Sequence, residues 1–538
     1  MRELDHPLTA RWHDGADDPL AVKQDRRARG GLPAWIKDVP WVLGRVLMDH
    51  WLFVLALLAG VALRVVVSLT YWPALEFYGD SYGYLKIASH LVPGSLDPSG
   101  YPIFLALLAH TGNFGAVAIT QHVMGVVMAV ILYLLLLRLG VRPWLAAIGT
   151  MPLLLDGYQL DIEQFVLADV LTEFLVVVAL VLLLWPRRRT SITMAAAAGL
   201  LMAAATLTRF VGIGVLVLAA LYLVARRRWR GLLAYLVPAA MVLVSYGGWY
   251  ASLNGSFGFS GSQGYALYGR VASFATCDYH LSREEARLCP RQPVDQRTQN
   301  VDFYVWLPGS PINQPGLGTG AQRNQLGTQF AEQVILHQPL DYANTVLAGT
   351  WHYFTPGRWM PARGEQVELQ RWRFPPANLD GSKDALHIYF ANYGFGQKPV
   401  KAVLRPSLMG PLRSYQALSD NDGPLLLATL VVGLLAGIGL VSRAVRRRDA
   451  RWAALVMALA GVTLIVEPVM TLGFSYRYGL PLLALLPPAA VIGIDLALDA
   501  LGRARAGRRS LAMHPGSSPA SAADGPSSTA ATTDPALA

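Results

Sequence analysis

The sequence predicts a polytopic α-helical membrane protein with about ten transmembrane helices, an amphipathic first external loop and one large external domain. Three observations carry that prediction. The 538-residue chain is 53% hydrophobic and only 15% charged, with a mean hydropathy of +0.36, whereas a soluble domain carries roughly 25% charged residues. Its apolar residues gather in runs of about 17–25, the length that spans a bilayer core of roughly 30 Å. Of its 45 Lys and Arg, 16 sit in four clusters between or after apolar runs: Arg187 to Arg189, Arg226 to Arg230, Arg443 to Arg451 and Arg503 to Arg509. Such clusters mark cytoplasmic loops by the positive-inside rule. The composition excludes a large soluble enzyme, a disordered scaffold and a disulfide-rich secreted module. The net charge of +10 lacks the basic-aromatic interleaving of a nucleic-acid groove, so no nucleic-acid partner is expected.

Residues 1–45 are polar and basic, with no signal-peptide cleavage pattern after the first apolar run, and read as a cytoplasmic arm. An N-terminal membrane module, 46–252, follows with spans near 51–71, 115–137, 143–156, 166–185, 192–208, 211–225 and 231–252. The stretch from Ser191 to Ala225 as one helix would be about 52 Å long, too long for the bilayer core. It would also place its two flanking Arg clusters on opposite faces. Two short spans folded back near Arg209 put both clusters inside, and that parity then holds at every later loop.

The first external loop, 73–112, is amphipathic, rich in aromatics and marked by a Pro-Ser-Gly-Tyr-Pro turn. A short second loop carries Asp156, Asp161 and Glu163. The segment 253–422 is a mixed external domain, with helical periodicity around Gln322 to Leu336 and Tyr342 to Tyr353. Its two cysteines, Cys277 and Cys289, stand twelve apart and could close a disulfide in an oxidising compartment; two free thiols are the alternative. A C-terminal module, 423–500, supplies spans near 424–442, 452–471 and 480–500. Residues 501–538 are a basic stretch and a disordered tail rich in Ser, Pro, Ala and Thr. Both termini are then cytoplasmic.

Ionisable residues gather at the predicted outer boundary. Asp80 follows the first span, within Glu76-Phe77-Tyr78-Gly79-Asp80-Ser81-Tyr82-Gly83-Tyr84. A carboxylate there can take a proton from a nucleophile while facing both lipid and water, although such a residue alone more often caps a helix. The aromatics Tyr82, Tyr84 and Tyr101 can stack on sugars or anchor the interface. Arg64, Asp169, Glu173, Arg209, Glu467 and Arg477 lie near the same boundary. Groups of this kind are costly in lipid and face protein or water, with structural pairing as the plain reading of any one of them. Several arginines aimed at one place suit a phosphate. No Walker loop, HExxH, nucleophile elbow or CxxC pair is present, and the histidines lack metal-ligand spacing.

The order of these features resembles the GT-C superfamily of polyprenyl-phosphate-dependent glycosyltransferases, nearest to bacterial phospholipid-carrier-dependent enzymes related to protein O-mannosyltransferases and aminoarabinose transferases. Arg64 and Gly79-Asp80-Ser81-Tyr82-Gly83-Tyr84 carry the resemblance, followed by Pro98-Ser99-Gly100-Tyr101-Pro102 and Gln121-His122. Leu167-Ala168-Asp169-Val170-Leu171-Thr172-Glu173, Leu207-Thr208-Arg209, Tyr476-Arg477-Tyr478 and Leu480-Pro481-Leu482 complete it. It covers most of residues 50–500. The segment from Leu267 through Arg270 to Cys277 and Cys289 looks like the external domain of an actinobacterial subgroup.

The resemblance implies an inverting transferase in the cytoplasmic (inner) membrane, multi-pass, with its active site facing outside. Asp80 is the implied general base. Arg209, Arg270, Arg477 and Lys86 are the implied donor-phosphate ligands. Asp169, Asp161 and Glu163 are the implied acceptor-binding or second acidic groups. Tyr82, Tyr84 and Tyr101 would contact sugar or lipid. The implied partners are membrane lipid, a polyprenyl-phosphate-linked sugar as co-substrate, and a glycan, lipid or protein acceptor. No cofactor or metal is required, although Asp161, Glu163 and Asp169 could weakly attract a divalent ion. Two departures stand out: many relatives carry an acidic pair where Ser81 follows Asp80, and a basic residue where Asp97 precedes Pro98. The donor phosphate must then be held by cations from elsewhere. Two other readings fit the membrane composition, a flippase for lipid-linked sugars and a degenerate GT-C-like envelope-assembly protein. The absence of paired halves with Gly/Pro-broken helices argues against the first, and retention of Asp80 with several arginines against the second.

Overall fold

The computed structural model describes residues 34–77, 79–93, 97–186, 191–297, 301–356, 373–375, 389–390, 400–401, 403–420, 422–441 and 447–512. Most of the predicted arm, the cluster Arg187 to Arg189 and the predicted tail beyond 512 lie outside them. The chain divides into two units, 1–49 and 50–538. Of the first, the described residues form the beginning of helix α1 (Ala34–Thr70).

All ten predicted spans are helical. They are α1, α4 (Gly115–Arg138), α5 (Pro143–Leu155), α7 (Ala168–Leu184), α8 (Ile192–Thr208), α9 (Gly212–Ala225), α10 (Trp229–Asn254), α16 (Gly423–Ile438), α17 (Arg448–Thr471) and α18 (Leu480–Ala512). Among the described residues, five helical segments are long and apolar enough to cross a bilayer alone: 48–70, 115–138, 229–254, 448–471 and 476–505. A sixth appears if α16 is joined to α15 (Pro406–Ser419), from which it bends by 44°. Helices α5 and α9, with 13 and 14 residues, reach only about 20 Å. They are the two shortest predicted spans, and each is bounded by a polar break, at Asp156 and at Arg209.

The burial pattern is that of helices in lipid. On α4, Val117, Gln121, His122, Gly125, Met128, Ala129, Leu132 and Leu136 form one buried stripe at helical spacing. The opposite side exposes Ile119, Val123, Val127 and Leu134, which a water-soluble helix would bury. Helix α8 packs between α7 and α10, while α16, α17 and α18 pack on one another and α18 also lies against α5.

The loop predicted to be the first external one folds into two short helices, α2 (Asp80–His90) and α3 (Gly100–Ala109), packed together. The second contains α6 (Gly157–Gln164), buried along its whole length. Strand β1 (Tyr71–Trp72) leaves α1 and pairs antiparallel with β4 (Val403–Leu404) in the register Tyr71 to Leu404. A second small ladder joins β2 (Tyr389–Phe390) to β3 (Val400–Lys401).

The segment predicted to be external has its own apolar core, made by α11 (Gln263–Ala272), α12 (Val301–Trp306) and α13 (Gly320–His337). Tyr268, Val271, Leu288, Tyr304, Ile312, Phe330 and Val334 fill it. Gly264 lets α11 touch α13, since a Cβ there would sit 1.8 Å from the Asn324 carbonyl oxygen. A disulfide joins Cys277 to Cys289 beside this core. Helix α14 (Pro339–Trp351) then leads back to the membrane module.

Candidate active site

Asp80 opens α2, directly after Gly79, whose φ of +91° suits a residue without a Cβ. It is the first helical residue, and the N-cap position before it is held by Gly79, which has no side chain to offer a capping bond. The Asp80 carboxylate pairs with Arg477, which lies on the one-turn helix Tyr476–Gly479 between α17 and α18. Helix α2 is fixed from behind by Ser81. Its buried hydroxyl donates to the Val166 carbonyl at 2.8 Å and accepts from the Phe77 amide at 2.8 Å. Val166 in turn donates its amide to Leu75 O at 2.9 Å. Ser81 is therefore a strap between the 73–112 loop and the segment that joins α6 to α7.

Two further segments close the cluster. Asp169, in the first turn of α7, pairs with Arg209, the residue that ends α8. Arg477 Nε lies 3.9 Å from the same Asp169 oxygen, so the two arginines share one carboxylate. Both guanidinium groups face the Tyr478 ring, at 4.7 Å for Arg209 and 5.3 Å for Arg477, and Arg477 also faces Phe77 at 5.6 Å. Such contacts hold a desolvated cation in place. Asp169 Oδ2 is buried with no hydrogen-bond partner among the described residues. Asp80 is the open member, with 32% of its side chain exposed.

Asp97 joins this group from the other end of the first loop. Burial, and then the neighbouring Asp80 charge, push its carboxyl up to about 6, against the lowering pull of Arg477 and Arg209. The loop returns here because Tyr246 of α10 accepts a hydrogen bond from the Ser99 amide at 3.0 Å. Tyr84 lies buried beside the cluster, where burial, Asp97 and Asp80 raise its hydroxyl well above the ordinary range. Its ring meets Tyr101 edge-on at 5.1 Å, and the Tyr101 hydroxyl donates to Gln121 Oε1 at 3.0 Å. The arrangement combines two arginines and three aspartates, one of them accessible, in one cluster. It can accept a proton and hold an anion.

The structure brings together Asp80, Asp169, Arg209, Arg477 and Tyr84 of the residues the sequence singles out, with Tyr101 behind Tyr84. It places the others elsewhere. Glu163 is fully buried within a second network, where it accepts from Arg64 Nη2 at 2.7 Å and meets His122 Nδ1 at 2.7 Å. Asp161 is buried on the same short helix. Arg270 donates to the Thr345 carbonyl at 2.6 Å. Burial lowers its guanidinium to about 10, and no carboxylate among the described residues is within ion-pair distance. Lys86 and Tyr82 are exposed on α2.

Asp97 and Tyr478 are site members that sequence reasoning does not select. Asp97 reads there only as a departure from a family pattern, yet its acid beside a proline turn was the available signal. Among the described residues, no group of three or more His, Cys, Asp and Glu could hold a metal ion.

No family model matches the chain, and no curated protein matches it in sequence. Among solved structures, the apo oligosaccharyltransferase of Archaeoglobus fulgidus superposes on 86% of this chain at 14% identity and a TM-score of 0.41. ArnT from Cupriavidus metallidurans bound to undecaprenyl phosphate superposes on 84% of this chain and 78% of its own length, at 14% identity and a TM-score of 0.30. The chain covers 52% of the archaeal enzyme, about half its length.

Proposed function

We propose that this protein is a membrane glycosyltransferase that moves a sugar from a polyprenyl-phosphate donor to a hydroxyl acceptor at the outer face of the cytoplasmic membrane. The observation that carries the reading is the meeting of Asp80 with Arg477, Arg209 and Asp169. Four separate segments deliver these side chains to one boundary, and one of them remains open to solvent. The sequence resemblance supplies the donor class, and the geometry supports the division of labour.

In this reading the donor phosphate binds to Arg209 and Arg477 through charge-assisted hydrogen bonds. Engagement of Arg477 by phosphate loosens its hold on Asp80, freeing that carboxylate to accept a proton. The acceptor oxygen forms a bond to the anomeric carbon as the bond from that carbon to the phosphate oxygen breaks. The acceptor proton goes to Asp80, and the electron pair leaves with the lipid phosphate. The leaving group gains a negative charge in this step, and fixed cations stabilise it as it develops. A single displacement inverts the anomeric carbon. Asp169, shared by both guanidinium groups, sets the spacing of the two arginines.

The test compares wild type with Asp80→Asn in membranes given radiolabelled polyprenyl-phosphate sugars and endogenous acceptors. Asparagine keeps the shape and removes the base. Wild-type transfer, with a loss of about a hundredfold or more in the variant, is expected. Transfer that survives the substitution removes Asp80 from the base role. If no donor is used and labelled lipid moves between leaflets instead, the protein is a transporter.

A further inference from the structure

Helix α14 carries its apolar residues on the wrong side for a water-facing domain. Its inward face presents Tyr342, Thr345 and Gly349 to the rest of the protein. The Tyr342 hydroxyl donates to Met470 O at 3.0 Å, and a Cβ at Gly349 would sit 2.8 Å from Val469. Its outward face carries Leu340, Leu347 and Trp351, at spacings of seven and four residues that stack on one side of a helix. These three are 76%, 67% and 55% exposed. An apolar stripe of this size calls for a covering surface.

The contacts of the inward face place the helix. Val469 and Met470 belong to the last turn of α17, one of the segments long and apolar enough to span a bilayer. A helix packed beside that turn lies at the depth where a span leaves the hydrocarbon. Met470 is itself open on the same span end, so exposed apolar side chains occur both on that end and on the outward face of α14 packed beside it. Tryptophan favours this depth, where its ring meets both acyl chain and headgroup.

We propose that α14 is an interfacial helix, seated by Leu340, Leu347 and Trp351 in the acyl-chain boundary of the leaflet that receives the outer end of α17. The seat is joined to the candidate site by a short path. Helix α14 runs directly into Tyr353, whose hydroxyl donates to the Ser475 carbonyl at 2.8 Å, two residues before Arg477. The external domain is thereby moored to the membrane through the same turn that holds the site arginine.

The experiment uses the full chain in lipid nanodiscs, with a spin label at Leu347→Cys or Leu340→Cys and a control label at exposed Glu332→Cys on α13. Cys277 and Cys289 are disulfide-bonded and no free cysteine competes. Labels at 347 and 340 should be relaxed several-fold more by oxygen than by a water-soluble nickel chelate, with the opposite ratio at 332. A nickel-accessible label at 347 overturns the proposal, because the face then lies in water. Shielding from both reagents also overturns it, and dipolar broadening would then identify a second copy as the cover.

Discussion

Two clusters of arginines and acids lie near the ends of helices in this protein, and they are built to opposite specifications. In the Arg64 network every strong charge is enclosed. Arg64 donates to Glu163, Leu153 O and Leu154 O at 2.7 to 3.0 Å, and Glu163 also meets His122. Gly125 leaves room for it, since a Cβ there would sit 1.9 Å from Glu163 Oε1. In the Asp80 cluster the arginines are shared among acids, Asp169 keeps an unused oxygen, and Asp80 opens to solvent. An enclosed network, in which Glu163 is held by both Arg64 and His122, fixes a fold even though Arg64 Nε has no hydrogen-bond partner among the described residues, whereas a cluster with one acid open to solvent can exchange that carboxylate partner for a substrate phosphate.

The comparison is most severely tested by removing Glu163. Glu163→Ala leaves Arg64 buried without its acid, which costs about 3–5 kcal/mol. Thermal unfolding in detergent should show a marked loss of folded protein. Unchanged stability would contradict the structural role given to this network.

Ser81→Ala sharpens the link between the two clusters, because the Ser81 strap runs to the 163–166 segment. The protein should remain folded. Turnover should fall about tenfold through mispositioning of Asp80, with donor KM unchanged. A fall in stability without a change in turnover would make Ser81 merely structural.

Asp97→Asn should have the smallest effect, and its sign is fixed by charge. With a carboxyl near 6, Asp97 is mostly ionised at pH 7 and repels an incoming phosphate. Lowering the pH through 6 neutralises it, so wild-type donor KM should fall. The variant should show a donor KM a few-fold lower at pH 7, with that pH dependence weakened. An identical profile in both proteins would place Asp97 outside the site.

The helices were legible in the sequence, and the way each residue turns within the bundle was not. Apolar runs mark ten segments that are all helical, five of them long and apolar enough among the described residues to cross a bilayer alone. The ionisable residues at the ends of these runs include Asp80, Asp169, Arg209 and Arg477, which the structure brings into one cluster. Hydropathy cannot say which way a boundary residue turns. Glu163 and Asp161 stand close to Asp169 in the sequence, yet α6 is buried along its whole length and carries them into the interior. Arg270 is held by α14 instead of joining the other arginines. Asp97 reaches the cluster because Tyr246, far along the chain, holds Ser99. Each outcome depends on tertiary packing that no local pattern encodes.

The central claim is that Arg477 serves the lipid phosphate and Asp80 the acceptor proton. Binding of undecaprenyl phosphate to purified wild type, Asp80→Asn and Arg477→Gln, followed by native mass spectrometry, separates the two roles without requiring turnover. The account predicts binding at least as tight in Asp80→Asn, where Arg477 loses its competing carboxylate, and binding about tenfold weaker in Arg477→Gln. Undiminished binding in Arg477→Gln, or its loss in Asp80→Asn, would contradict it.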